Sequence, residues 1–349
     1  MARILVTGAN GHVGANLCRL LIDKGHDVVG LVRNNSDLRG LEGLDIDYCL
    51  GDVRDAESVR QATRGAQYVF NVAAVYATSG VSVEDIMRPA IDGVRNVLEA
   101  AAAAGVQRVV HTSSTAAVGN CSAPGKILDE SNWHDDPATT YHRAKIESEK
   151  IAWDIADRVD LDMVVVNPAG IVGQYDYRIT PTMKIIRGML EGGVSTTQGG
   201  ADLVDVRDVA SGHLKALELG RRGQRYILVS GEHLSMRQIG SIITELAGIK
   251  VLHTPLPRVM IPALIPLTRS LMRALGKKDE LTVDEAREFI GRWTWYDPTK
   301  SRNELGFAGR PVRESIDHTI RWLLFSGALS GKLEKRLALR FERDPAWIS

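Results

Sequence analysis

Ile4-Leu5-Val6-Thr7-Gly8-Ala9-Asn10-Gly11-His12-Val13-Gly14 reads as a buried strand that breaks into a glycine turn and continues as a helix. A turn of this composition is suited to a phosphate. Gly8 permits a tight reversal, Gly11 removes the Cβ that would hold a pyrophosphate away, and Gly14 lets the helix pack close to the strand. The helix is expected from about Val13 to Lys24, with its N-terminal amides aimed at the anion. Gly8, Asn10, Gly11, His12, Val13 and Gly14 are therefore the first candidate cofactor contacts. A strand-to-helix turn in a nucleotide-free protein can also carry three glycines, so the rest of the chain has to decide.

With 349 residues, 44% of them hydrophobic, the chain can bury a sizeable core. Its 43 basic and 43 acidic residues cancel without forming blocks of like charge, which argues against nucleic acid and for a small-molecule partner. Cys18, Cys49 and Cys121 are too few and too scattered for a disulfide framework and read as core residues, as expected of a cytoplasmic protein. The nine histidines fall in no metal-ligand spacing, so no metal is expected. A first strand starting by Arg3 leaves no room for a signal peptide.

Apolar runs typical of buried parallel strands recur at Asp27–Val32, Ile46–Leu50, Tyr68–Val72, Arg108–Thr112 and Asp162–Asn167, with helical stretches between them. The helix from about Val83 to Ala104 should stop at Gly105. This alternation predicts an α/β fold: a doubly wound, mostly parallel Rossmann-type sheet with a smaller, mainly helical C-terminal substrate lobe. The dinucleotide-binding domain is expected over 1–178, with 203–232 returning to it. The lobe would comprise 179–202 and 233–324, and 325–349 an amphipathic tail.

The second strand ends Leu31-Val32-Arg33-Asn34-Asn35, without the acidic residue that would grip the ribose hydroxyls of NAD. Arg33 offers a positive fork where the extra phosphate of NADP would sit. NADP(H) is thus favoured, with NAD(H) as the alternative. Further on, Tyr141 and Lys145 stand four apart on one helix, so they share a face roughly 6 Å apart. Hydride transfer to a carbonyl creates an alkoxide that needs a proton, and a tyrosine beside a lysine is suited to give it. Lys145, with an oxidised nicotinamide, is expected to lower the phenol's pKa from about 10 toward neutrality.

The order of these motifs resembles the extended short-chain dehydrogenase/reductase family: the glycine turn, Asn71-Val72-Ala73-Ala74, His111-Thr112-Ser113-Ser114, then Tyr141-His142-Arg143-Ala144-Lys145. Within that family the motifs look most like dihydroflavonol reductases, hydroxysteroid dehydrogenases and the hopanoid-associated epimerase-like group. The resemblance spans roughly Arg3 to Leu324. It implies that Ser114, Tyr141 and Lys145 are catalytic, with Ser114 holding the substrate oxygen. It further implies cofactor contacts at Asp52, Val53, Ala73, Ala74, Asn167, Pro168, Ala169 and Val172, besides Tyr141 and Lys145. Asp52 could instead cap the next helix, and Asp208 the helix through Leu217. Two positions depart from the pattern: Ala90 replaces the usual asparagine and Ala144 a common serine.

The implied reaction interconverts a ketone and a secondary alcohol on an apolar, ring-containing small molecule. A sugar or sugar-nucleotide epimerase and an inactive dinucleotide-sensing protein are the competing readings. Tyr76, Ser113 and Leu264 are candidate substrate contacts. Leu264 lies in the proline-broken run Val259–Leu267, too short to span a bilayer but suited to lid a pocket. Trp293 and Trp295 would wall the same pocket or mark a half-buried strand. Residues 259–275 or the tail could also touch a membrane surface, and a homodimer is expected. In the tail, Leu329, Leu333, Leu337 and Phe341 recur at four-residue steps among basic residues. This stripe would pack on its own lobe, on a dimer partner or on anionic lipid.

Overall fold

The computed structural model describes residues 1–73, 82–255, 258–260, 263–265, 283–329 and 331–341. In β1 (Arg3–Thr7) the alternation of a strand sends Ile4 and Val6 to one face and Leu5 to the other, all with no exposed surface. Both faces are therefore covered. Helices α1 (His12–Asp23) and α7 (Val206–Leu219) cover one; α2 (Ala56–Thr63), α3 (Val83–Ala103) and α5 (Thr140–Arg158) cover the other.

The remaining strands of the sheet are β2 (Asp27–Val32), β3 (Asp47–Leu50), β4 (Tyr68–Asn71), β5 (Arg108–Thr112), β6 (Met163–Pro168) and β7 (Arg225–Leu228). They run parallel in the order β7-β6-β5-β4-β1-β2-β3. The order reverses between β1 and β4. In a doubly wound sheet the crevice at such a reversal receives the ligand. The expected fold is present, and its strand boundaries shift by a residue at β3, β4 and β6. Helix α3 closes as expected: Gly105 follows it at φ +68°, left-handed backbone that glycine takes without strain.

A second apolar core lies beyond the sheet. It joins α6 (Pro181–Leu190), α8 (Met236–Ala247) and the helix Val312–Phe325 through Met183, Ile186, Ile239, Ile243, Ile316 and Ile320. The tail's stripe closes on this same core: Leu329, Leu337 and Phe341 are buried in it. Arg336 and Arg340 donate to the carbonyls of Gly248 and Glu245, where the last turn of α8 leaves acceptors free. Of the roles foreseen for the tail, packing on its own lobe is the one this arrangement displays.

Candidate active site

The ends of β1, β4 and β5 are tied together by one hydrogen-bonded chain. The Thr7 hydroxyl donates to Asn71 Oδ1 at 2.9 Å and accepts from the amides of Val72 and Ala73, both at 3.1 Å. Asn71 Nδ2 in turn donates to His111 Nδ1 at 3.1 Å. This draws the two turns so close that a Cβ on Gly8 (φ +65°) would stand 2.8 Å from Ala73 Cα. A Cβ on Gly14 would stand 2.2 Å from the Gly8 carbonyl oxygen. Glycine is required at both positions. Helix α1 starts at His12 with Gly11 as its N-cap and no side-chain cap, which leaves its first amides for an anion.

These turns open into one cavity of about 1260 Å³, above the usual range for a single small ligand and sufficient for a cofactor with a substrate. Gly8, Asn10, Gly11, His12, Val13, Gly14, Arg33, Asp52, Val53, Ala73, Pro168 and Ala169 all line it, as expected of cofactor contacts. So do Ser113, Ser114, Tyr141 and Lys145. The uncapped amides at the start of α1 fit a dinucleotide pyrophosphate. Ala74 and Tyr76 lie outside the described residues.

Three expectations need correction. Asn167 is not on the wall: its amide donates to Glu149 Oε2 at 2.9 Å and to the Ser114 carbonyl at 3.1 Å, beneath the site. Val172 is fully buried in the lobe core. Leu264 is half-buried and off the wall, whereas its neighbour Ile265 is buried and on it; exposed Val259 and Met260 do not line it. Of the two readings of Trp293 and Trp295, the half-buried strand is the one seen: the rings meet edge-on with centroids 4.6 Å apart, and the alternate residues, Thr294 and Tyr296, face the cavity. Strand alternation accounts for the last case.

Capping is also resolved. Asp55, not Asp52, caps α2, and Asp205, not Asp208, caps α7. Asp52 pairs instead with Arg54 at 2.8 Å, beside Arg33 on the cavity wall. Arg54 was not singled out in the sequence, although it follows Asp52-Val53 directly.

Tyr141, Lys145 and Glu149 form one stripe along α5, each four residues from the next. Tyr141 hydrogen-bonds Ser114, which also caps the short helix α4 (Thr115–Val118) by accepting from the amide of Ala116 at 3.1 Å. Lys145 Nζ donates to the Thr112 carbonyl at 3.3 Å. Ser113 turns its hydroxyl to Glu149, away from any substrate. Glu149 is fully buried, 2.9 Å from the Arg225 guanidinium, which lies 4.1 Å over the Trp133 ring.

Burial pushes the Tyr141 phenol up to about 12, with the Ser114 hydrogen bond acting the other way. This upward shift belongs to the cofactor-free protein, whereas the expected lowering concerns a site that also holds the oxidised nicotinamide. A phenolate excluded from water costs more than its neighbours return, so Tyr141 rests protonated, as a proton donor should. Burial lowers Lys145 to about 8, with the Glu149 carboxylate opposing. In the cofactor-free protein, its charge therefore costs stability below about 8. That cost, roughly 3 kcal/mol, fades as pH rises toward 10.5, where the unfolded chain loses the same proton. Wild-type stability should thus gain from this group between pH 8 and 10.5, and Lys145→Met should lack the gain. Denaturant midpoints across that window test this; parallel curves for the two proteins would refute it.

The profile of the NAD dependent epimerase/dehydratase family matches residues 4–229, and the chain belongs to that family. It is an NAD(P)-dependent oxidoreductase of the extended short-chain dehydrogenase/reductase type. It is 34% identical to the sterol demethylase protein B of Methylococcus capsulatus, over 93% of this chain and 99% of that one. Cinnamoyl-CoA reductase 1 of Arabidopsis thaliana is 32% identical over 70% of this chain and 74% of its own. Among solved structures, gox2253 superposes with a TM-score of 0.82 at 29% identity, covering 95% of this chain and all (100%) of that one. No helix among the described residues is long and apolar enough to cross a membrane.

Proposed function

We propose that the protein interconverts a ketone and a secondary alcohol on an apolar, ring-containing small molecule, with NADP(H) as the preferred cofactor. One observation carries this reading: Ser114, Tyr141 and Lys145 meet in a cavity that Ile185, Ile186, Met189, Ile239, Ile265 and Phe289 also line. The relatives named for sterol demethylation and cinnamoyl-CoA reduction support a substrate of that character. The glycine turn, Arg33, Asp52 and Lys145 would hold the dinucleotide. When bound, its nicotinamide supplies or accepts the hydride at the substrate carbon. Tyr141 delivers the proton to the substrate oxygen in reduction and recovers it in oxidation, and the Ser114 hydroxyl donates to that same oxygen.

A panel of sterols, flavonoids and UDP-sugars, each incubated with NADPH or NADH while reduced nicotinamide is followed, tests the reading. Net oxidation of cofactor on an apolar ketone is expected. An isomerised sugar nucleotide without net cofactor turnover would assign an epimerase.

The preference for NADP(H) rests on Arg33 and Arg54 flanking the Asp52 end of the cavity. Arg33→Asp should shift relative affinity from NADPH toward NADH by about 1 to 3 kcal/mol, the range for one charge-assisted contact. Titrating both cofactors by fluorescence checks it. A wild type that already prefers NADH, with Arg33→Ala unchanged, would make Arg33 a surface residue only.

A further inference from the structure

Glu288 lies in the last turn of the helix Val283–Phe289 and is 2% exposed. Its Oε1 accepts from Asn120 Nδ2 at 2.6 Å and from His134 Nε2 at 2.8 Å, and its Oε2 accepts from the Ala138 amide at 2.8 Å. His142 Nε2 lies 3.6 Å from Oε1. Thr139 Oγ1, the N-cap of α5, accepts from the His142 amide and lies 2.6 Å from His142 Nδ1. Burial opposes ionisation of this carboxyl, yet the surrounding donors hold it at about 2, so it is an anion at working pH.

Two features give this cluster a consequence for the substrate. Its contacts with the Ala138 amide and, at 3.6 Å, the His142 ring bracket Tyr141 at the start of α5. The residues that follow Glu288, Phe289 and Ile290, stand on the cavity wall, and the Phe289 ring lies 5.8 Å from that of His142. The wall and the proton donor are thus joined through one carboxylate.

We propose that Glu288 is a positioning residue: it locks the helix that carries Phe289 onto the N-terminus of α5, so that the apolar wall is held in place to bind the substrate beside Tyr141. This rests on the reading of Tyr141 as proton donor to an apolar substrate. A carboxylate is suited to the task because it accepts from several N–H groups at once, whereas an amide of the same shape presents one acceptor and one donor. Glu288→Gln would turn an NH₂ against the donors on one of the two oxygens.

The test is steady-state kinetics on Glu288→Gln, Phe289→Ala and the double variant, with cofactor dissociation constants and melting temperatures measured alongside. Glu288→Gln should raise KM for the ketone tenfold or more, with kcat within threefold and cofactor affinity within twofold of wild type. The double variant should be no worse than the more affected single variant, since both act on one wall. Glu288→Asp should restore part of the loss. If Glu288→Gln yields no folded protein, His134→Leu, which removes one donor and leaves the carboxylate, should raise KM at least threefold. An unchanged KM, additive effects, or parallel losses in kcat, KM, cofactor affinity and melting temperature would each overturn the positioning role while wild-type turnover stands. Absence of hydride transfer by the wild type would instead defeat the underlying reading, and the positioning role with it.

Discussion

Tyr141→Phe is expected to lower kcat at least a hundredfold while cofactor affinity stays nearly unchanged. The substitution removes one oxygen and keeps the ring that meets His142 edge-on at 5.7 Å. What is lost is the acid that serves the substrate oxygen, and general acid catalysis typically contributes a factor of about 10² to 10⁴. A hundredfold loss corresponds to about 2.7 kcal/mol of barrier. Ser114 keeps its bond to the Ala116 amide, so the turn that carries it should stay in place. Single-turnover rates measured with saturating cofactor isolate the effect; a rate within a few-fold of wild type would remove Tyr141 from the chemistry.

The second large effect is on stability. Glu149→Leu should destabilise the fold by about 3 to 5 kcal/mol, the range for breaking a buried ion pair from one side. Arg225, on β7, would remain buried with its charge uncompensated, and Ser113 and Asn167 would each lose an acceptor. For a chain of this length, that corresponds to a melting temperature lower by roughly 4 to 7 °C. Because the Glu149 carboxylate also supports the charge on Lys145, activity should fall in the surviving folded fraction. Calorimetry on the variant decides it; an unchanged melting temperature would mean that the pair contributes little.

Local chemistry was legible in the sequence. Gly8, Gly14 and Gly105 occupy positions where backbone reversal or close approach demands glycine, and Tyr141 and Lys145 share a face because helical spacing alone puts them there. The sheet followed from the rhythm of apolar runs. The misjudged residues are those whose partners come from distant elements. Asn167 lay in a motif but turns inward because Glu149 waits on α5, and Val172 leaves the cavity for the lobe core. Asp55 and Asp205 cap their helices rather than Asp52 and Asp208, choices that depend on backbone angles three residues away. Glu149 had a readable signal, a carboxylate continuing the Tyr141 and Lys145 stripe. Glu288 had none: three of its donors lie 150 or more positions away in the chain.

The central claim is net hydride transfer between cofactor and substrate carbon, with the proton handled by Tyr141. The direct measurement is incubation of an apolar ring ketone with NADPH deuterated at the transferring position, followed by mass spectrometry of the alcohol. One deuterium on the carbinol carbon for each NADPH oxidised is the predicted result, with the rate collapsing in Tyr141→Phe. An unlabelled product, or a product formed with no net loss of NADPH, would contradict it.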